Sequence, residues 1–262
     1  MITSPSNPKV QFIRALQSRA RNRRKEGAFV VEGVRLAEEA LAAGWPARLV
    51  LHTRDLDTRG EEVVHGFAQQ DVEIALVDER VMQAAADTVT PQGILAVLSM
   101  QTVPLPQELD FVLISDGVRD PGNMGTMLRT AAAAGVRAFL LPSGTVDPFS
   151  PKVVRAAMGA HFRIPILALS WEDMRAFIEA NALYVHLAMA RAGEAYTEAD
   201  FRRPTALIVG GEAEGAGASA STLAHKSIHI PMPGKIESLN AAVAAAILMF
   251  EVVRQRSSSH QN

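Results

Sequence analysis

Cysteine is absent from the 262-residue chain. That excludes disulfides, thiolate catalysis and cysteine-ligated zinc, and it fits a cytoplasmic protein. Long apolar runs are absent too. The longest, AAVAAAILMF at 241–250, is far shorter than the ~20 residues a bilayer span needs, so no membrane association is expected. The opening MITSPSNPKV carries no apolar core of the secretory type. An overall excess of positive charge is lacking: the net charge is −2, so the protein as a whole does not attract polyanions. No metal is expected either. His225 and His229 stand four apart, but SIHI alternates as a strand does, and a helical ligand pair is not formed.

What is present is an ordinary globular balance, 48% hydrophobic and 21% charged, sufficient for one large domain or two smaller ones. The charge is locally uneven. Lys9, Arg14, Arg19, Arg21, Arg23, Arg24 and Lys25 follow one another with no acidic residue among them. Such a block either coats a solvated helix or neutralises phosphates.

Asn7-Pro8 opens a helix with Val10, Ile13 and Leu16 on one stripe. AFVVEG, ARLVLHT, VEIALV and GILAVLS then read as strands. The helices between them are VRLAEEALAAG, a segment around 60–70, and one capped by Asp78. This predicts a small α/β domain over residues 1–102. The proline-bearing MQTVPLPQEL (100–109) reads as a linker. A second series runs over 108–256: strands at FVLIS, AFLLP, IPIL, LYVHLAM, ALIVGG and IHIPM, with helices at 122–134, 150–158, 171–180 and 238–256. Strands alternating with helices imply an open parallel sheet covered on both faces. SSSHQN, 257–262, reads as a disordered tail.

Three glycine-bearing bends stand out. DGVRDPGNMGTMLRTAAAAG (116–135) is a strand–loop–helix unit, yet it has neither the G-x-G-x-x-G of a dinucleotide turn nor a Gly-Lys-Ser/Thr phosphate loop. It offers instead Asn123 at the helix start and Arg129 about 1.7 turns further on. Asn123 reads equally as a helix cap, and Arg129 as a surface residue. LIVGGEAEGAG (207–217) runs from a buried strand into glycines, where a ligand can approach the backbone, with Glu212 directly after them. IHIPMPGKIESLNAAVAAAILMFE (228–251) places prolines and Gly234 before a helix whose first turn carries Ser238 and Asn240.

In this order and spacing the three stretches resemble the motifs of the SpoU–TrmH family of RNA ribose 2′-O-methyltransferases. Asn123, Gly125 and Arg129 match the first motif, and Gly210 and Glu212 the second. Ile230, Pro231, Gly234, Ser238, Leu239 and Asn240 match the third. Gly211, and Ala241-Ala242 in the third motif, depart mildly from the family pattern. SPKVVRAAMGAHFRIP (150–165) resembles the family's central region. SPSNPKVQFIRAL, AFVVEGVRLAEEAL and TPQGILAV resemble its appended substrate-binding domain.

The resemblance implies an α/β protein: a C-terminal parallel-sheet SPOUT domain with a trefoil knot, plus the smaller N-terminal α/β substrate-binding domain. Residue patterns alone would have suggested an unknotted sheet. It further implies S-adenosylmethionine as cofactor, held at Gly210, Ile230 and Leu239 with Gly211, Met232 and Gly234 beside them. Asn123, Arg129, Glu212, Ser238 and Asn240 are the implied catalytic residues. A homodimer is implied, with RNA, ribosomal rather than transfer, as substrate. RNA contacts are expected at Arg21, Arg23, Arg24, Lys25 and Arg155. Two other classes remain open at this point: a nucleotide-dependent metabolic enzyme on a doubly wound fold, against which the missing G-x-G-x-x-G counts, and a non-catalytic RNA-binding protein of the same fold.

Overall fold

The computed structural model describes residues 1–211, 215–234 and 236–258. Glu212 and residues 259–262 of the expected tail lie outside the described residues. The chain divides into two compact units, Met1–Gln101 with Asp147–Phe162, and Thr102–Val146 with Arg163–Asn262.

The first half holds α1 (Pro8–Ser18), α2 (Ala20–Glu26), β1 (Ala28–Glu32), α3 (Val34–Ala42), β2 (Ala47–His52), α4 (Thr58–Ala68), β3 (Glu73–Leu76), α5 (Glu79–Ala85) and β4 (Ile94–Ser99). There follow β5 (Phe111–Asp116), α6 (Pro121–Ala133), β6 (Ala138–Leu141), α7 (Pro151–Ala157), β7 (Ile166–Ala168), α8 (Trp171–Ala180) and β8 (Tyr184–Met189). The last elements are β9 (Glu194–Ala195), β10 (Thr205–Gly210), α9 (Ala218–Leu223), β11 (Lys226–His229) and α10 (Ala241–Ser258). The expected final helix at 238–256 thus starts three residues late and continues to Ser258.

In the first unit the strands lie in the order β1-β4-β2-β3, with only the β2–β3 pair parallel. Asn7 caps α1 by accepting from the Lys9 N–H at 3.0 Å. The stripe Val10, Ile13 and Leu16 packs against Val30, Leu49, Leu51, Leu95 and Val97 of the sheet. Asp57 and Asp78 cap α4 and α5 in the same way.

Asp147–Phe162 packs with this unit, although it lies inside the 108–256 span of the second series. Phe149 meets Phe29 at 5.0 Å between ring centres, and Phe162 meets Trp45 at 5.0 Å. Arg23 is 4% exposed. It donates from Nε and Nη2 to Asp147 Oδ2 at 2.9 and 2.6 Å, and from Nη1 to the Leu16 carbonyl at 2.6 Å. The expectation that Arg23 faces RNA is therefore corrected: burial requires its charge to be paired internally.

The second unit carries a seven-stranded sheet in the order β7-β6-β5-β10-β8-β11-β9, parallel at every pairing. One face packs Val112, Ile114, Leu187 and Ile208 against Met174 and Ile178 of α8 and Leu223 of α9. On the other, α6 and α10 pack on each other, and α10 rests on β10. The sheet is covered on both sides, as continuous apolar strands require.

His161 is buried in the first unit beside Phe149 and Phe29. Its Nε2 reaches the Pro148 carbonyl at 2.7 Å, and its Nδ1 has no partner. Burial lowers its pKa from 6.5 to about 4. Between those values the unfolded chain binds a proton there and the folded chain does not. Stability therefore falls as the pH is lowered through this window, by about 3 kcal/mol from this group. Denaturant unfolding of His161→Phe should show a correspondingly shallower acid-side loss than wild type. Parallel curves between pH 6.5 and 4 would contradict the assignment.

Candidate functional site

At the carboxyl ends of the parallel strands the second unit encloses a cavity of about 230 Å³. Three separate stretches of chain build it. β8 and its exit supply Ala188, Met189 and Ala190. The end of β10 supplies Val209, Gly210 and Gly211, and the loop returns with Gly215. Ile228 and Ile230 come from β11 and its exit, followed by Met232, Ser238 and Leu239, with Ala241, Ala244 and Leu248 of α10 behind. Ligand sites of open α/β sheets lie at this end of the strands.

Of the expected cofactor residues, Gly210, Gly211, Ile230, Met232 and Leu239 line this cavity, and so does Ser238. Gly234 does not line it and is exposed. Glu212 falls between Gly211 and Gly215, outside the described residues. Arg129 is exposed on α6 and is not among the lining residues.

The reason for the glycines differs from the sequence argument. A Cβ on Gly210 would stand 2.3 Å from the Ala216 nitrogen, and one on Gly211 would stand 2.3 Å from the Gly117 carbonyl oxygen. The chain's own backbone, rather than a ligand alone, occupies the space these residues leave.

The two amides sit together. Asn240 donates from Nδ2 to Asn123 Oδ1 at 2.9 Å. Its own Oδ1 accepts from the Ala242 and Val243 N–H groups at 2.9 and 3.2 Å, which caps α10. Asn240 is thus at once a helix cap and a strut that fixes the Asn123 side chain. The cap of α6 is Asp120, whose Oδ1 accepts from the Asn123 N–H at 2.8 Å. Asn123 therefore stands in the first turn rather than at the cap.

Sequence reasoning passed over Asp116. It ends β5, opposite Gly210 in the ladder, is 9% exposed, and accepts from the Gly217 N–H at 2.7 Å. A lone acid closing an apolar strand was the available signal.

In the first unit Arg21, Arg24 and Lys25 are exposed along α2. Arg155 stands 2.8 Å from Asp87, at an angle too oblique for a hydrogen bond. Among the described residues no cluster of three His, Asp or Glu suits a metal ion, and no helix is long and apolar enough to cross a membrane.

Comparison with known proteins gives a consistent set of likenesses. Residues 110–250 match the SpoU rRNA Methylase family, and residues 7–96 match the MRM3-like substrate binding domain. The chain is 34% identical over 251 residues to the 23S rRNA (guanosine(2553)-2'-O)-methyltransferase RlmP of Bacillus subtilis, covering 96% of this chain and 98% of that protein. It superposes on the AdoMet-bound rRNA methyltransferase from Sinorhizobium meliloti with a TM-score of 0.87 at 32% identity, covering 97% of each chain. The SpoU methyltransferase AviRb from Streptomyces viridochromogenes, in complex with AdoMet, gives a TM-score of 0.87 at 29% identity, over 96% of this chain and 100% of that one.

The close packing at the glycines leads to a contrast. Gly211→Ala drives a methyl into the Gly117 carbonyl and should lower stability by about 1–3 kcal/mol. Among the described residues nothing lies within 4 Å of a Cβ at Gly234, so Gly234→Ala should stay within about 0.5 kcal/mol of wild type. Denaturant midpoints of the two variants measure the difference. Equal midpoints would mean that the β10 exit is not held against the Gly117 peptide.

Proposed function

The chain belongs to the SpoU rRNA methylase family, and from that premise we propose that it transfers a methyl group from S-adenosylmethionine to a ribose 2′-hydroxyl of RNA, ribosomal rather than transfer. The observation that carries this reading is the convergence of Gly210, Ile230 and Leu239 on one cavity. The lining fits the cofactor. Apolar side chains (Ile228, Ile230, Leu239, Leu248) make walls for an uncharged purine, and Gly210, Gly211 and Gly215 present backbone groups to its polar edges.

When bound, S-adenosylmethionine supplies an electrophilic methyl on a sulfonium. The RNA brings the nucleophile, so the chain needs neither a nucleophilic side chain nor a metal. Its tasks are to hold the reacting atoms about 3–3.5 Å apart and to ease loss of the hydroxyl proton. A guanidinium keeps its proton at any working pH. Arg129 therefore acts by gripping the neighbouring phosphate and stabilising alkoxide character, not as an ordinary base. Asn123, held by Asn240, orients the ribose or Arg129, and Ser238 and Asn240 complete the polar wall; Glu212, outside the described residues, keeps the role of orienting Arg129 or accepting a hydrogen bond.

The reading extends to a trefoil knot around the cofactor cavity and to a homodimer. In support of the dimer, Val243 and Phe250 are 48% and 49% exposed on α10, about two turns apart on one side of the helix. A second copy covers that stripe, and Arg129, which is absent from its own chain's cavity lining, completes a site at the interface. The first unit serves as the RNA-binding part of a cytoplasmic enzyme.

Incubation with methyl-labelled S-adenosylmethionine and ribosomal RNA lacking the modification should place label in alkali-stable dinucleotides. Arg129→Ala should lose most single-turnover rate at saturating RNA. Asn240→Asp keeps the cap acceptor but cannot donate to Asn123, so it should unfold like wild type yet turn over slowly. Label in alkali-labile or base-derived products would overturn the reaction, and full rates in both variants would overturn the assigned roles.

Neutralising Arg21, Arg24 and Lys25 together should weaken RNA binding and flatten its salt dependence, by roughly one slope unit for each phosphate left without its cation. An unchanged slope of log K against log salt would remove α2 from the RNA surface.

A further inference from the structure

We propose that Asp116 is a positioning residue for the cofactor: its carboxylate holds the chain at Gly217, and with it the backbone of Gly215 in the cavity lining. This rests on the cofactor reading above and goes beyond it to a residue outside the lining. β10 leaves the sheet at Gly210, directly beside Asp116 in the parallel ladder. Gly211 and Gly215 face each other across a bridge, with the Gly215 N–H donating to the Gly211 carbonyl at 3.1 Å. Two residues later the Gly217 N–H donates to Asp116 Oδ2 at 2.7 Å. The loop is therefore tied to the end of β5 at both feet. At the outgoing foot Gly211 lies flat on the Gly117 peptide, and at the returning foot the bond to Asp116 holds it.

The two feet are not equivalent. The outgoing foot is held by the ladder and by close packing that only glycine permits. At the returning foot the Asp116 carboxylate, itself 9% exposed, takes a short, charge-assisted hydrogen bond from Gly217, which is exposed. The geometry explains why an acid stands at the end of an otherwise apolar strand. With the latch made, the backbone at Gly210, Gly211 and Gly215 keeps the shape that lines the cavity. Without it, the backbone at Gly215 must be held by the ligand, and binding weakens by the free energy of that ordering.

The test is calorimetric titration with S-adenosylhomocysteine, which needs no RNA, on wild type and four variants. Wild type should bind. Asp116→Ala should bind roughly ten- to a hundredfold more weakly, the range expected for a lost hydrogen bond to a charged group. Asp116→Asn, which still offers an acceptor oxygen, should recover most of the affinity. Gly217→Pro removes the donor from the other side. Its φ of −74° suits proline, so it should reproduce the alanine defect, and the variant carrying both Asp116→Ala and Gly217→Pro should be no worse than either single one. The labelled-RNA assay at saturating cofactor should then return kcat toward wild type while KM for S-adenosylmethionine stays raised. A purely structural role would lower the fraction folded without that split. Absence of binding by wild type would sink the cofactor reading itself. Wild-type affinity in Asp116→Ala, or additive losses in the double variant, would overturn the latch alone.

Discussion

Backbone must meet backbone with no side chain between them where β5 and β10 leave the sheet, and the pocket exists because the chain meets that demand. Gly210 and Gly211 lie against the peptides of Gly215–Ala216 and Gly117, at distances no β-carbon tolerates. That packing sets Gly215 beside the end of β10, and Ile228, Ile230, Met232, Ser238 and Leu239 line the rest of the opening. α10 then closes the rear with alanines, whose small side chains leave the cavity its depth. One constraint thus fixes the exit of β10 and the space that the final helix closes.

From this frame follows a division of labour. The cavity is apolar and its polar surface is mostly main chain, which suits holding a nucleoside but performs no proton chemistry. Ser238 stands in the lining and the Asn123–Asn240 pair follows directly on Leu239 of that lining, while Arg129 is exposed on α6 outside it. An enzyme whose substrate carries its own nucleophile needs positioning and charge stabilisation more than a reactive side chain, and these residue types supply those. Asn240 illustrates the economy of the arrangement, since one amide both starts the last helix and fixes a second amide about a hundred residues away in sequence.

Much of the architecture was legible in the residues. Alternation and capping marked most elements: Asn7 before α1, Asp78 before α5, and the apolar runs that became β5, β6, β8 and β10. The three glycine bends were visible as a set, and five of the six expected cofactor positions line one cavity. What stayed hidden was pairing at a distance. Arg23 reads as one more charge in a basic block, because its partner Asp147 lies 124 positions away. The 147–162 segment carries no local mark of belonging with the first unit. Asn123 was a reasonable cap by type, but Asp120, just before Pro121, holds that position. Asp116 showed only as a lone acid closing an apolar strand; its partner Gly217 lies 101 positions away. Gly234 fits the family motif yet stands outside the cavity lining, because a motif position shows residue type and not which way the chain turns there.

The central claim is that these bends seat one methyl donor. The most direct measurement is photolabelling of the protein with methyl-labelled S-adenosylmethionine, followed by mapping of the labelled peptides. The account predicts saturable label, competed by S-adenosylhomocysteine, confined to peptides covering 207–217 and 228–248. Label that is not competed, or that falls within the first hundred residues, would contradict it.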